Sequence, residues 1–369
     1  MKVLFIVYHN LVEHSGISKK ILSQVDGLRA TGADVSLCTL QIAADGTKTR
    51  VVDGRPIRTF GTGLMAKVRK HTSYADIVRY VASSGTEAVY IRYDINADPF
   101  TVSLVRRLHR LGVRIYVEIP TWPYDGEFRG QRLSLRLQLW VDKCFRRRFF
   151  HYCHRAVTYV DVPDIFGCPT LPISNGIDFR RVPLSPAVPF DGTLRMLSVA
   201  NVHLWHGLDR LLCGMGEHPE VKAELHIVGD GLESLFDDYR HLIQRYGLED
   251  RVQILGPLYG DALDREFAWC NLAVGSLGRH RSGINTIKTL KNREYAARGR
   301  AFFYSETDSD FDHAPYVLKV PADDTPIDLP ALAAFTAALT LAPEQMRASI
   351  TSLSWEAQMA RILANMGEE

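Results

Sequence analysis

Followed for its apolar and polar positions, the chain alternates short apolar runs with stretches of helical periodicity. KVLFIVY is a run of strand length near the start. After a turn at Gly16, ISKKILSQVDGLRATG carries the helical period and stops at Gly32, and DVSLCTL predicts the next strand. TRVVDGRPIRTF reads as a hairpin about Asp53-Gly54. AVYIRY, VRIYVEI and AVTYV follow as strands with helical stretches between them. The alternation then resumes with LRMLSVAN, AELHIVGDG, RVQILGP, NLAVGSL and RAFFYSE. Strands and helices alternating at this spacing predict parallel sheets covered by helices on both faces.

The two series are separated by LPISNGIDFRRVPLSPAVPF, rich in Pro and Gly, which predicts a linker and two domains, 1–172 and 173–352. PEQMRASITSLSWEAQMARILANM closes the chain as two helices. In the second, about 353–369, Trp355, Met359, Ile362 and Leu363 lie at helical spacing, fit for packing. Two doubly wound, Rossmann-like domains facing one another leave a cleft lined by the carboxyl ends of both sheets, where such sheets bind ligands.

Length and composition agree with this picture. The 369 residues suit two domains, and 46% hydrophobic with 23% charged residues is the make-up of a folded soluble protein. A net charge of +2 offers no reason to expect nucleic acid. The apolar run at the start, Val3–Tyr8, is too short for a secretory signal, and no stretch approaches the ~18 apolar residues of a membrane span. The expectation is a cytoplasmic protein. Cys38, Cys144, Cys153, Cys168, Cys213 and Cys270 are scattered without a C-x-x-C pair, which predicts reduced thiols and neither a disulfide framework nor a metal site.

A nicotinamide cofactor would require a glycine-rich turn directly after the first strand. HNLVEHSGIS holds one glycine there, and GDGLES (229–234) is a lone near match explained equally by a tight strand-to-helix turn. No cofactor is expected. The segment 283–305, GINTIKTLKNREYAARGRAFFYS, predicts a helix from near Thr286 to 298, with Ile287, Leu290, Lys291 and Glu294 on one narrow face. Preceded by SLGRHRSGIN, that helix start gathers Arg279, His280, Arg281, Lys288 and Lys291. Backbone N–H groups at a helix N-terminus with cations nearby can hold a departing diphosphate without a metal. Equally, Lys291 and Glu294 can form an ordinary i,i+3 surface pair.

The stretch 130–157, GQRLSLRLQLWVDKCFRRRFFHYCHRAV, sets Arg132, Arg136, Lys143, Arg146, Arg147, Arg148 and Arg155 against Asp142 alone, interspersed with Leu, Trp and Phe. Such a basic amphipathic helix suits the surface of an anionic bilayer; a core helix with one solvated cationic face has the same pattern. No nucleic-acid-binding motif accompanies it.

HSGISKKI, YIRYD, EIPTWPYDGE (118–127), SNGID (174–178), NVHLWHGLDRLL (201–212), HIVGDG and LKNREYAARGRAFF (290–303), in this order and spacing, resemble a retaining glycosyltransferase of the GT-B fold. The resemblance is to the large family 4 that includes many bacterial capsule, exopolysaccharide and O-antigen enzymes. It implies transfer of a sugar from a nucleotide-sugar donor to a saccharide or lipid-linked acceptor, without a metal. It also implies a terminal helix that crosses back onto the first domain, and a location at the inner face of the plasma membrane. In the family two glutamates eight residues apart frame the donor helix. Glu294 matches the second, which meets the ribose, while Thr286 stands in the place of the first. His206 and Asn201 occupy the phosphate loop where relatives carry Lys and Arg, so part of that duty falls to Arg281 or Lys288. Gly229 and Leu290 join this donor set. Gly16 either lets backbone approach the ligand or simply starts a helix. Glu118 stands where relatives place a histidine facing the transferred sugar, which makes it, with Lys288 and Arg281, a candidate catalytic group. Asp125 and Glu127 are implied on the acceptor side. Two rivals stay open: a nucleotide-sugar epimerase or hydrolase on the same fold, and a non-catalytic partner subunit.

Overall fold

The computed structural model describes residues 1–12, 15–128 and 132–368, the side chain of Glu127 excepted. The chain forms two units, residues 1–174 with the helix from Trp355 onward, and residues 175–354.

In the first unit the strands are β1 (Lys2–Ile6), β2 (Asp34–Ile42), β3 (Lys48–Val52), β4 (Arg55–Gly61), β5 (Ala88–Arg92), β6 (Arg114–Ile119), β7 (Arg155–Thr158), β8 (Asp164–Ile165) and β9 (Cys168–Pro172). They lie in the order β4-β3-β2-β1-β5-β6-β7-β9-β8. From β2 through β1, β5, β6 and β7 to β9 the pairing is parallel; β3, β4 and β8 add antiparallel edges. The continuous apolar run of β1 is explained by burial on both faces. Leu4 and Ile6 join Val89 and Ile91 in one layer, while Val3 and Phe5 join Tyr90 in the other. The β3–β4 turn is made by Asp53 and Gly54, with φ of 48° and 76°, the positive pair a tight hairpin requires.

Helix Gly16–Ala30 starts at Ser15, whose hydroxyl accepts from Ser18 N. The terminal helix Trp355–Glu368 packs against it, burying Trp355, Met359, Ile362 and Met366 with Ile21, Val25 and Leu28. The approach is close at Gly27, where a Cβ would lie 2.8 Å from the carbonyl oxygen of Trp355. On the other face, helix Gly63–Thr72 neighbours Pro99–Arg110, which neighbours Leu133–Phe150.

The second unit holds β10 (Leu194–Val199), β11 (Ala223–Val228), β12 (Val252–Gly256), β13 (Leu272–Val274), β14 (Phe302–Tyr304) and β15 (Val317–Lys319), in the order β12-β11-β10-β13-β14-β15 and all parallel. The order reverses between β10 and β13. At such a switch point chain leaving the carboxyl ends turns to opposite sides and leaves a crevice between them.

Candidate functional site

The crevice between β10 and β13 is closed at its base by glycines. Gly229 ends β11 at φ 133°, and a Cβ there would lie 1.7 Å from the carbonyl oxygen of Ala200. Beyond Ala200, a short turn at Leu204–His206 leads to Gly207, whose missing Cβ lets the backbone of Gly278 approach. Leu277 N and Gly278 N then donate to the carbonyls of His206 and Trp205 at 3.0 and 3.1 Å. Tyr295 ties the floor together, accepting from Val199 N at 3.2 Å and donating to the Val274 carbonyl at 3.0 Å.

Basic groups crowd this edge. His206 is buried, and its Nδ1 accepts from His203 N at 2.9 Å, which leaves the proton of the neutral ring on Nε2. Burial holds its pKa well below the ordinary value, reinforced by Lys291, Arg279 and His203. Arg279 lies over the ring of Trp205, centroid 5.1 Å away, and Trp205 stacks on His203. The ammonium of Lys291 is enclosed and lacks a hydrogen-bond partner. Burial pulls its pKa down, against the attraction of Glu306, and Arg279 adds to the lowering. Glu306, two residues beyond β14, is 1% exposed with neither carboxylate oxygen bonded. Burial pushes its pKa up, and Lys291 works the other way. Ser276 Oγ, Thr289 Oγ1, Asn292 Oδ1 and Asn175 Oδ1 are further enclosed polar atoms without partners. Unsatisfied polar atoms are rare in folded interiors. Their concentration at one sheet edge marks a place built for polar chemistry.

The structure corrects several expectations about residues. The helix begins at Leu290, not near Thr286. Thr286 lies in a bridge beside Thr307, with Ile287 N donating to the Thr307 carbonyl at 3.0 Å, so this stretch is extended. Thr289 makes no side-chain capping bond, leaving the first turn at Leu290 uncapped. Arg281 is fully engaged: Nη1 and Nη2 donate to the two Asp209 oxygens at 2.9 and 2.8 Å, and Nε donates to Asp324 at 2.7 Å. Lys288 donates to Asp310 at 3.2 Å, within a network in which buried Arg293 bridges Asp308 and Asp310. Neither cation is left over for a phosphate without breaking these pairs. Glu294 pairs with Arg298 (2.9 Å) instead of Lys291, which points inward. Asn201 is exposed at the rim beside His203.

In the first unit Glu118 does not meet solvent. At 0% exposure its Oε1 accepts from Arg92 Nη1 (2.8 Å) and Tyr159 OH (2.7 Å), with Lys20 Nζ at 3.1 Å. Its Oε2 accepts from Gln24 Nε2 (2.7 Å) and Tyr90 OH (2.8 Å). Burial by itself raises a carboxyl pKa; Lys20 and Arg92, helped by Tyr159 and Gln24, overturn that and hold it at about 2. The expectation that Glu118 faces substrate is therefore corrected: it is a buried hub that joins β5, β6, β7 and helix Gly16–Ala30. Gly16 is the first residue of that helix with open space where a Cβ would stand, so nothing in the fold demands glycine there. Asp125 is held by Arg146 (2.8 Å) and Lys143 (2.9 Å) and lines an open pocket of ≈ 690 Å³ with Gly126, Phe128, Arg136, Leu139, Trp140 and Lys143. The side chain of Glu127 lies outside the described residues.

Sequence reasoning passed over Glu306, His203 and Trp205, and named Arg279 only as one of the cations at the helix start. Glu306 carried a legible signal, an acid at the carboxyl end of a strand, the same argument applied to Glu118. It also passed over His9, just beyond β1 at the β1–β5 reversal, whose pKa desolvation lowers while Asp94 works against the shift.

Among solved structures, the chain is similar to sucrose-phosphate synthase from Thermosynechococcus elongatus, with TM-score 0.61 and 16% identity, covering 100% of this chain and 98% of that one. It is similar to HepE from Anabaena in complex with UDP, with TM-score 0.61 and 14% identity over 100% of both chains. The catalytic domain of starch synthase IV from Arabidopsis thaliana, bound to ADP and acarbose, aligns with TM-score 0.60 and 12% identity, over 100% of this chain and 98% of that one. No protein-family model matches the chain, and no curated protein matches it in sequence. The likeness shows the fold, which is GT-B.

Proposed function

We propose that the protein is a retaining glycosyltransferase, binding a nucleotide-activated sugar at the β10–β13 crevice and passing the sugar to a saccharide or lipid-linked acceptor. One observation carries this reading: His203, His206, Arg279 and Lys291 converge beside the uncapped start of helix Leu290–Ala297. Basic groups that disfavour one another's charge become favourable neighbours once a diphosphate sits among them, and the same field stabilises that diphosphate as it departs. In this reading they do so without a metal. The UDP of the HepE complex and the ADP of the starch synthase complex support a nucleoside diphosphate as the leaving group. Glu294 accepts from the ribose hydroxyls, since Arg298 keeps a second partner in Asp264 at 2.7 Å.

On the first unit, the pocket beside Asp125 offers a carboxylate suited to the hydroxyls of a saccharide acceptor. We further propose that this unit rests on an anionic bilayer, in keeping with a role in bacterial surface-polysaccharide synthesis at the inner face of the plasma membrane. Leu133 (79% exposed), Leu137 and Trp140 (63%) fall on one face of helix Leu133–Phe150, beside exposed Arg136, Lys143, Arg147 and Arg148. The sole acid of that helix, Asp142, is buried and does not offset them. Helix Gly63–Thr72 likewise exposes Leu64, Met65 and Val68 among Lys67, Arg69 and Lys70. No helix among the described residues is long and apolar enough to cross a membrane.

The test is calorimetric titration of UDP, ADP, GDP and TDP into the parent, Arg279→Met and Glu294→Ala. One nucleotide should bind, about 10- to 100-fold more weakly to either variant, as loss of a charge-assisted hydrogen bond entails. Failure of all four overturns the reading. Binding without release of nucleotide from the matching sugar donor, with any acceptor, favours a non-catalytic partner subunit.

A further inference from the structure

Beneath the crevice lie two ionisable groups that no hydrogen bond explains. Lys291 projects inward from the first turn of helix Leu290–Ala297, and Glu306 follows β14. Neither serves the core as an apolar residue would, and an enclosed charge without a hydrogen bond is expensive to keep. The groups that act on the pair come from every surrounding segment. Arg279, after β13, acts on both; Asp308, after β14, acts on Glu306, as do Tyr295 of the helix and Tyr304 of β14; His206, after β10, faces Lys291. The pair thus sits under the same edge where basic groups converge, with Glu306 the acid that balances Lys291.

We propose that Lys291 and Glu306 are a positioning pair that exchanges a proton with solvent when a diphosphate docks in the crevice. Before docking, the Glu306 carboxylate neutralises the Lys291 ammonium. The negative field of the ligand disfavours that carboxylate. A proton taken from solvent adds to a Glu306 oxygen, no bond in the ligand changes, and the Lys291 ammonium is left unneutralised to face the diphosphate. Burial has already moved the two groups toward neutral pH from opposite sides, with Arg279 adding to the fall at Lys291 and opposing the rise at Glu306, so little is needed to shift the proton. The inference rests on the nucleotide-binding reading above and adds that binding there is linked to proton uptake.

The experiment is calorimetry of the full chain near pH 7.5 with UDP-, ADP-, GDP- and TDP-glucose in buffers of different ionisation enthalpy. A diphosphate diester has no proton of its own to exchange near this pH, so any dependence on buffer comes from the protein. The parent should take up between about half and one proton, and its affinity should fall by up to about tenfold per pH unit on the alkaline side. Glu306→Gln should bind with no buffer dependence. His206→Asn should keep the dependence, because the acceptor of the proton is Glu306. A parent with no buffer dependence, a Glu306→Gln protein that retains it, or a His206→Asn protein that loses it overturns the proposal. Should Glu306→Gln fail to fold, the Lys291→Met/Glu306→Gln double variant removes both charges together and must bind without the dependence. Binding without proton uptake sinks the pair alone, whereas binding by none of the sugar nucleotides sinks the nucleotide reading with it.

Discussion

Replacing Glu118 by Gln keeps the shape of the side chain and removes its charge from between Lys20 and Arg92. The amide nitrogen can settle on the Oε2 side, where Tyr90 OH can turn to accept and Gln24, whose Oε1 has no partner, can present it by flipping. The loss is therefore mainly Coulombic. Holding the carboxyl at about 2, against an ordinary 4.5, corresponds to roughly 3 kcal/mol of interaction gained on folding. Glu118→Gln should lower the melting temperature of the first unit by roughly 6–12 °C, since 1 kcal/mol moves a domain of this size by about 2–4 °C. The pH dependence has a definite sign. A carboxyl whose folded pKa is depressed stabilises the fold above its unfolded pKa, and loses that contribution as pH falls from 4.5 through about 2. The gap between parent and variant should be full at pH 7 and less than half as large at pH 3. Differential scanning calorimetry at both pH values measures it. An unchanged melting profile with lost turnover would refute the hub assignment and return Glu118 to the substrate.

Gly229→Ala should unfold or rearrange the second unit, because its Cβ would fall 1.7 Å from a backbone oxygen at a φ of 133°; a soluble variant with parental melting would contradict this. A chain ending at Thr351 strips the cover from Ile21, Val25 and Leu28 and should aggregate or melt well below the parent by light scattering and calorimetry. Leu137→Ser/Trp140→Ser and Arg147→Gln/Arg148→Gln should each weaken binding to anionic vesicles, the second in a salt-dependent way worth about 1 kcal/mol per residue, with parental nucleotide affinity. Equal vesicle binding by all of these proteins would leave the helix as a solvated face.

Features whose causes are local were legible before folding was considered. Alternating apolar runs placed the strands β1 to β7 and β10 to β14 but not β8, β9 and β15 near the sheet edges; Asp53-Gly54 identified the hairpin, and the spacing of Trp355, Met359 and Ile362 marked the packing face of the last helix. Tertiary structure decided the partners. Thr286 reads as helical from its neighbours, yet it lies extended because residue 307 pairs alongside it. Glu118 has the look of a strand-end acid exposed to ligand, but Gln24, Tyr90, Arg92 and Tyr159 reach it from distant segments and enclose it. Arg281 and Lys288 looked available, and Asp209, Asp324 and Asp310 occupy them instead. Lys291 and Glu294, three residues apart, turn to different partners, one inward toward Glu306 and one back to Arg298. Backbone conformation follows from nearest neighbours and solvent preference. The state of a charge follows from every group within several ångströms, and folding alone brings those groups together.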